Sequence, residues 1–409
     1  MSYCPKHVRF VYKGRTMAKG DRSESEMSVS ADPETGREVY RLTSQRSWNT
    51  QPTYHVNCFF DDERVCFAAQ EHGTNNIYTS SLITGTVTQL ICGKGSSYLL
   101  QHIGGGWGDG KGTDAFHMAA AYRTRRVFYL EECRLKSVDI DTLEEQLLHT
   151  VSDEWISGVV EISSDESMVL LPLLSRECFD TDGGLAEYLR RCDRMNLRSR
   201  LLGVRTDGSG SDVLWEERGR FIGHAMFSPR TNRYILADRA TDPARKEIPL
   251  LWIIDLERSE TWPLATCNPK TGHSSWLWNG QGAVTHGVVP EGMERGGAEY
   301  LQILDTDGDS RWIGFHGPPR YYGHCHSGPN GVIVTDAIFR DDALTAVKPQ
   351  GSSYLKETIC RHDTHWEGRG QLTHPHPHVS PDGRWIVFGS LRGGRKDIYA
   401  VRGDDISPQ

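Results

Sequence analysis

The chain has 409 residues, 37% of them hydrophobic and 24% charged, with 42 glycines and 18 prolines, a balance that excludes fibrous, disordered and membrane-spanning classes. Its 46 Lys+Arg against 54 Asp+Glu leave a formal charge of −8, which repels a polyanion, so nucleic acid is not expected as a partner. No apolar run of about 18 residues and no export-type leader is visible, and ten cysteines stand scattered without CxxC spacing, so a reducing, cytoplasmic setting with buried free thiols is expected.

Residues 1–30 read as a poorly ordered lead-in, with Met17 as an alternative start, and the strand-like REVYRLT (37–43) then stands without a partner of its own. From there, short runs rich in Val, Ile, Leu, Tyr and Phe, bounded by Asp, Gly, Ser and Asn, recur with almost no helical periodicity, which predicts an all-β chain. The runs come in pairs: 57–69 with 77–90, 119–130 with 135–148, 161–174 with 200–215, and 225–239 with 250–264. Next come 275–289 with 300–314, then 326–339 with a less regular partner, and last 378–391 with 397–404. These are seven copies at roughly 50 residues each, every copy a four-stranded unit that buries its faces only against neighbours.

The expected fold is a seven-bladed β-propeller over 31–409. Because the last copy stops after DIYAV, the N-terminal strand 37–43 is expected to join the final blade and close the ring, which also removes exposed sheet edges. Two insertions interrupt the repeat: 177–199, with a short helix in GLAEYLRRCDRM, and 340–370, read as a polar loop. The glycine-rich GGGWGDGKG (104–112) lacks the GxxxxGK[ST] order of a phosphate loop, and no GxSxG elbow occurs.

The composition is unusual in its 17 histidines. Aligning the copies on their S-P-D-G-like turns makes Ser228-Pro229, Gly328-Pro329 and Ser380-Pro381 equivalent, and four residues before each pair stands His224, His324 or His376. The fifth copy carries His273 one position earlier, next to Ser274. Innermost propeller strands start at one mouth of the axial channel, so these side chains are expected to converge.

The densest segment is Gln371-Leu-Thr-His374-Pro-His376-Pro-His378, whose spacing of two puts alternate imidazoles on one side of an extended chain. Two imidazoles on that side, joined by His273 from another blade and by the Gln371 carboxamide oxygen, would form a mixed N/O site suited to Mn²⁺ or Fe²⁺. Zn²⁺ is also compatible, whereas Ca²⁺ would want more oxygen. His326 and His378 are expected behind the ligands. His55, His102 and His117 stand near inner-strand starts, and the other histidines are expected in surface or hydrogen-bonded structural roles.

The segments MAKG, DPETGREVYRLT, VDIDTLEEQLLHTVSDEW, RLLGVRTDG, GHAMFSP, GHSSW, GHCHSGPNGVIVTD and QLTHPHPHVSPDG together resemble the oligogalacturonate lyases, seven-bladed propeller enzymes of pectin breakdown. The resemblance runs from about Met17 to the C-terminus. It implies a manganese-type ion held by Gln371, His374, His376 and His273, with His224 as base and Arg200 as the substrate-binding arginine. It implies cleavage of 4-linked uronides by β-elimination, for which a neutral His224, or else His324, takes the C5 proton.

Two segments depart from the family pattern, Asn49-Thr-Gln-Pro-Thr-Tyr54-His55 and His273-Ser-Ser-Trp276, and both fall where substrate would sit. They make Tyr54, His55, Trp276 and His324 substrate-side candidates and leave open a relative acting on a different uronide. A non-catalytic TolB-like or WD40-like binding platform and a metal hydrolase are the rival readings from the residues alone.

Overall fold

The computed structural model describes residues 10–11, 17–46, 48–71, 74–93, 117–178, 184–316, 323–336, 342–351, 353–364 and 374–406. They build seven sheets, taken in chain order around a ring and antiparallel apart from the parallel pairing of Phe10–Val11 with Arg22 and Ser23. Blade four is typical, with strands Phe221–Ser228, Thr231–Ala240, Leu251–Asp255 and Glu260–Pro263 ordered from the axis outwards.

Middle strands are covered by neighbouring blades on both faces and therefore read as unbroken apolar runs. Met168–Ser175 (MVLLPLLS) in blade three is buried at all but its ends, whereas the outermost strand of the same blade, Ser211–Arg218 (SDVLWEER), is polar and largely open. Close approach is set by glycine in blade five, where a Cβ on Gly282 would lie 2.0 Å from the Leu304 carbonyl oxygen.

The ring closes as the orphan strand requires. Glu38–Arg41 pairs with Asp397–Arg402 through Val39 opposite Val401 and Tyr40 opposite Ala400. The Asp397 carboxylate is wholly buried, and it accepts from Arg41, Thr43 Oγ1 and Asn49 Nδ2, three groups of the N-terminal segment.

Two expectations need correction. Of the lead-in 1–30, the part from Met17 onward is built into the ring: Arg22–Ser25 pairs with Thr86–Gln89 of blade one, and Ser28–Ala31 adds a fifth strand to blade seven. The segment 340–370 is not a loop throughout, since Ala343–Gln350 and Ser353–Arg361 are the two outer strands of blade six. The outermost of them, Ser353–Arg361, carries polar side chains along its length, which disguised the strand pattern. The expected helix is present as Gly184–Arg194, and it buries Tyr188, Leu189 and Cys192. The glycine-rich stretch 104–112 lies outside the described residues. No helix among the described residues is long and apolar enough to cross a membrane.

Candidate metal centre

Each inner strand begins where the chain turns into the axis, and the backbone there is unusual. Of twelve described non-glycine residues with positive φ, three are histidines of this mouth: His224 at 40°, His273 at 54° and His376 at 45°. Left-handed backbone costs a side-chain-bearing residue about 1–2 kcal/mol, so it persists only where surrounding structure fixes it. Here it aims imidazoles from blades four, five and seven at a common centre.

Tyr54 stands at that centre, fully buried, with ring centroids 4.8 Å from His324, 5.0 Å from His55, 5.9 Å from His376 and 6.1 Å from His273. Its hydroxyl donates to the Ser274 carbonyl at 3.2 Å. The histidines then adjoin one another: His324 and His376 at 4.2 Å between centroids, His324 and His374 at 5.1 Å, His273 and His324 at 4.9 Å, His224 and His273 at 5.4 Å. One ligand nitrogen from each of His324, His374 and His376 lies within 4.8 Å of the other two. With metal–nitrogen bonds of about 2.1 Å, ligand nitrogens stand roughly 3–4 Å apart, so a slight inward closure would let the three share one ion.

The chemistry of the donor set suits a divalent ion. Burial holds the imidazolium forms of His273, His324 and His376 far below their usual range and takes His374 down to about 2, with the neighbouring imidazoles adding to the effect. Neutral imidazoles at ordinary pH are the form that ligates.

Carboxylates orient three of the rings. Asp238 lies 2.9 Å from His224 Nδ1, Glu161 3.2 Å from His55 Nδ1, and Asp336 3.0 Å from His324 Nδ1. Sequence reasoning missed these partners, although a signal exists for two of them. ILAD falls near the end of the second strand of blade four and VIVTD closes that of blade six, and an antiparallel hairpin returns these residues to the level of the inner-strand histidine.

Lys396 was missed as well. It is fully buried, donates from Nζ to the His374 carbonyl at 3.0 Å, and burial brings its ammonium down to about 7. Gln51 Nε2 reaches the carbonyls of Pro375 and His376, the latter at 3.2 Å, so the HPH segment is held by its backbone from two sides.

The structure therefore brings together His55, Tyr54, His224, His273, His324, His374 and His376. Gln371 lies outside the described residues. Arg200 is held elsewhere: it sits on the third strand of blade three, bonded through Nε to Glu216 at 2.8 Å, with its guanidinium 4.6 Å from the Trp155 ring centre. Trp276 is buried and donates to the Met226 carbonyl, and it lines a different space. That space is a cavity of about 480 Å³ at the turn end of the inner strands, bordered by Ser228, Arg230, Trp278, His326 and His378. His55 also borders it.

No protein-family model matches the chain. An oligogalacturonide lyase of Pectobacterium atrosepticum and an oligogalacturonate lyase of Dickeya dadantii each share 23% identity with it, over 95% of this chain and 99% of their own length. Two solved structures superpose on 95% of it and 99% of themselves at 22% identity. One is an oligogalacturonate lyase in complex with manganese, with a TM-score of 0.77, and the other an oligogalacturonate lyase from Vibrio parahaemolyticus, with 0.76. The chain is similar to the oligogalacturonate lyases over nearly its whole length. It shares their seven-bladed ring, and its histidine mouth is the strongest candidate for chemistry among the described residues.

Proposed function

We propose that this protein is a metal-dependent lyase that cleaves short oligogalacturonides, or closely related 4-linked uronides, by β-elimination to 4,5-unsaturated products. The observation that carries the reading is the grouping of buried imidazoles from blades six and seven at metal-ligand spacing, with His273 of blade five against His324, in a chain similar to oligogalacturonate lyases over 95% of its length. The ligand set carried by the resemblance is His273, Gln371, His374 and His376, and the ion best suited to it is Mn²⁺. When bound, a divalent ion supplies Lewis-acid neutralisation of the uronate carboxylate whose charge grows as the C5 proton leaves.

The chain's own part is acid–base work and positioning. With Nδ1–H held by Asp238, the His224 lone pair stands on Nε2, ready to take the C5 proton. The C5–H electron pair becomes the C4=C5 double bond, the C4–O bond breaks, the leaving oxygen takes a proton from solvent water, and His224 returns the C5 proton to solvent. Arg200 is the proposed partner of a substrate carboxylate, and a bidentate exchange of Glu216 for that carboxylate is the step it requires. Tyr54 and His324 complete the wall beside the base. The eight described cysteines are all unpaired, five of them buried, which agrees with a cytoplasmic enzyme.

Adding Mn²⁺ and digalacturonate to the full chain is expected to raise absorbance in the ultraviolet band of unsaturated uronates, and EDTA to abolish the rise. A metal-loaded protein that produces no such rise on any uronide would overturn the proposal in favour of a binding platform.

A further inference from the structure

We propose that His324 is itself a metal ligand, beyond the set carried by the resemblance, and that Asp336 is the positioning residue that builds this part of the centre. The inference rests on the lyase reading above and deepens its metal site. Among the described residues, His324 is the imidazole packed most closely on the HPH segment, and its ligand nitrogen groups with those of His374 and His376.

Asp336 is fully buried at the end of the second strand of blade six, and its carboxylate is spent on this cluster. Oδ1 accepts the backbone N–H of His324 at 2.7 Å, while Oδ2 takes His324 Nδ1 at 3.0 Å and the backbone N–H of His376 at 3.1 Å. One side chain thus fixes the ring of a blade-six histidine and the left-handed backbone of a blade-seven histidine. Such a carboxylate–imidazole pairing sets the proton on Nδ1 and the lone pair on Nε2, and it raises the basicity of the ring as a ligand. The Asp336 carbonyl accepts in turn from His362 Nε2 at 2.8 Å, so the aspartate is braced from behind. An amide in its place would turn an NH₂ towards one of the three N–H donors, which makes Asp336→Asn a sharp perturbation of small volume.

The test is Mn²⁺ binding by the full chain, read from loss of the free-ion electron paramagnetic resonance signal, without substrate. His324→Ala is expected to weaken binding at least about 100-fold and Asp336→Asn about 10–100-fold, the usual range for outer-shell partners of a ligating histidine. Melting of the metal-free variants identifies any that fail to fold. In that event, pulsed resonance of the ¹⁵N-histidine-labelled wild type counts ligating imidazoles, four expected with His324 included and three without it. Wild-type binding together with His324→Ala affinity within about threefold of it, or a count of three, overturns this inference alone. A wild type that binds no Mn²⁺ overturns the lyase reading beneath it.

Discussion

The histidines at the inner-strand starts and those two residues further on face the same axis, yet they are held in different ways. His324 and His376 occupy the first position, His326 and His378 the second, about 6.6 Å deeper along an extended strand. The first pair leans on Asp336 and gathers with His374 into a cluster of metal-ligand size. The second pair bonds to backbone instead: His378 Nε2 donates to the Thr53 carbonyl at 3.0 Å, and His326 Nδ1 accepts the Val379 N–H at 3.3 Å. Burial lowers His326 to about 3 and His378 to about 4, so these two are neutral as well. Neutrality and burial alone therefore do not mark out the candidate ligands; what sets His324 and His376 apart from His326 and His378 is the Asp336 carboxylate that they share.

Substitutions can break that comparison. The largest effect belongs to His376→Ala, which is expected to abolish both metal retention and turnover; activity together with stoichiometric metal would erase the distinction between the two depths. His224→Ala should keep the metal and lose about 10²–10⁴-fold in kcat, the usual share of a general base, which single-turnover kinetics with a metal assay would read. Arg200→Lys should raise KM about tenfold at unchanged metal content, since an ammonium cannot reproduce a two-pronged pairing worth about 1.4 kcal/mol or more.

At the deeper level, effects pass to stability. His378→Ala should cost about 1–3 kcal/mol in denaturant unfolding by leaving the Thr53 carbonyl without its donor, with the base chemistry intact. A further effect on stability concerns pH. Burial takes His362 down to about 4, below its unfolded value of about 6.5, so between these the unfolded chain binds a proton that the native chain does not. Its contribution is whole above pH 6.5 and is lost as pH falls towards 4. His362→Gln should therefore flatten the acid slope of unfolding free energy by about 1.4 kcal/mol per pH unit.

Legibility in the sequence followed the same physics. The seven blades were readable because middle strands, covered on both faces, write themselves as apolar runs. The outermost strand of blade six, 353–361, was misread because its polar residues make it resemble a loop. The HPHPH segment and the register of His224, His324 and His376 were visible, since a repeat frame converts sequence offset into position around the axis.

Asp238 and Asp336 were legible in principle, each ending an apolar strand opposite an inner-strand histidine. Lys396 was not, because a lysine beside an aspartate reads as solvated surface, whereas here ring closure buries both. Arg200 shows the opposite limit: a residue type and spacing that resemble a family position, set in a strand where Glu216 already holds the guanidinium.

The central claim is elimination rather than hydrolysis at the histidine mouth, and mass analysis of digalacturonate products formed in H₂¹⁸O with Mn²⁺ tests it most directly. The account predicts one galacturonate and one unsaturated product lighter by one water, with no ¹⁸O incorporated by bond cleavage. Two saturated products, one carrying ¹⁸O, would contradict it and make the protein a metal hydrolase.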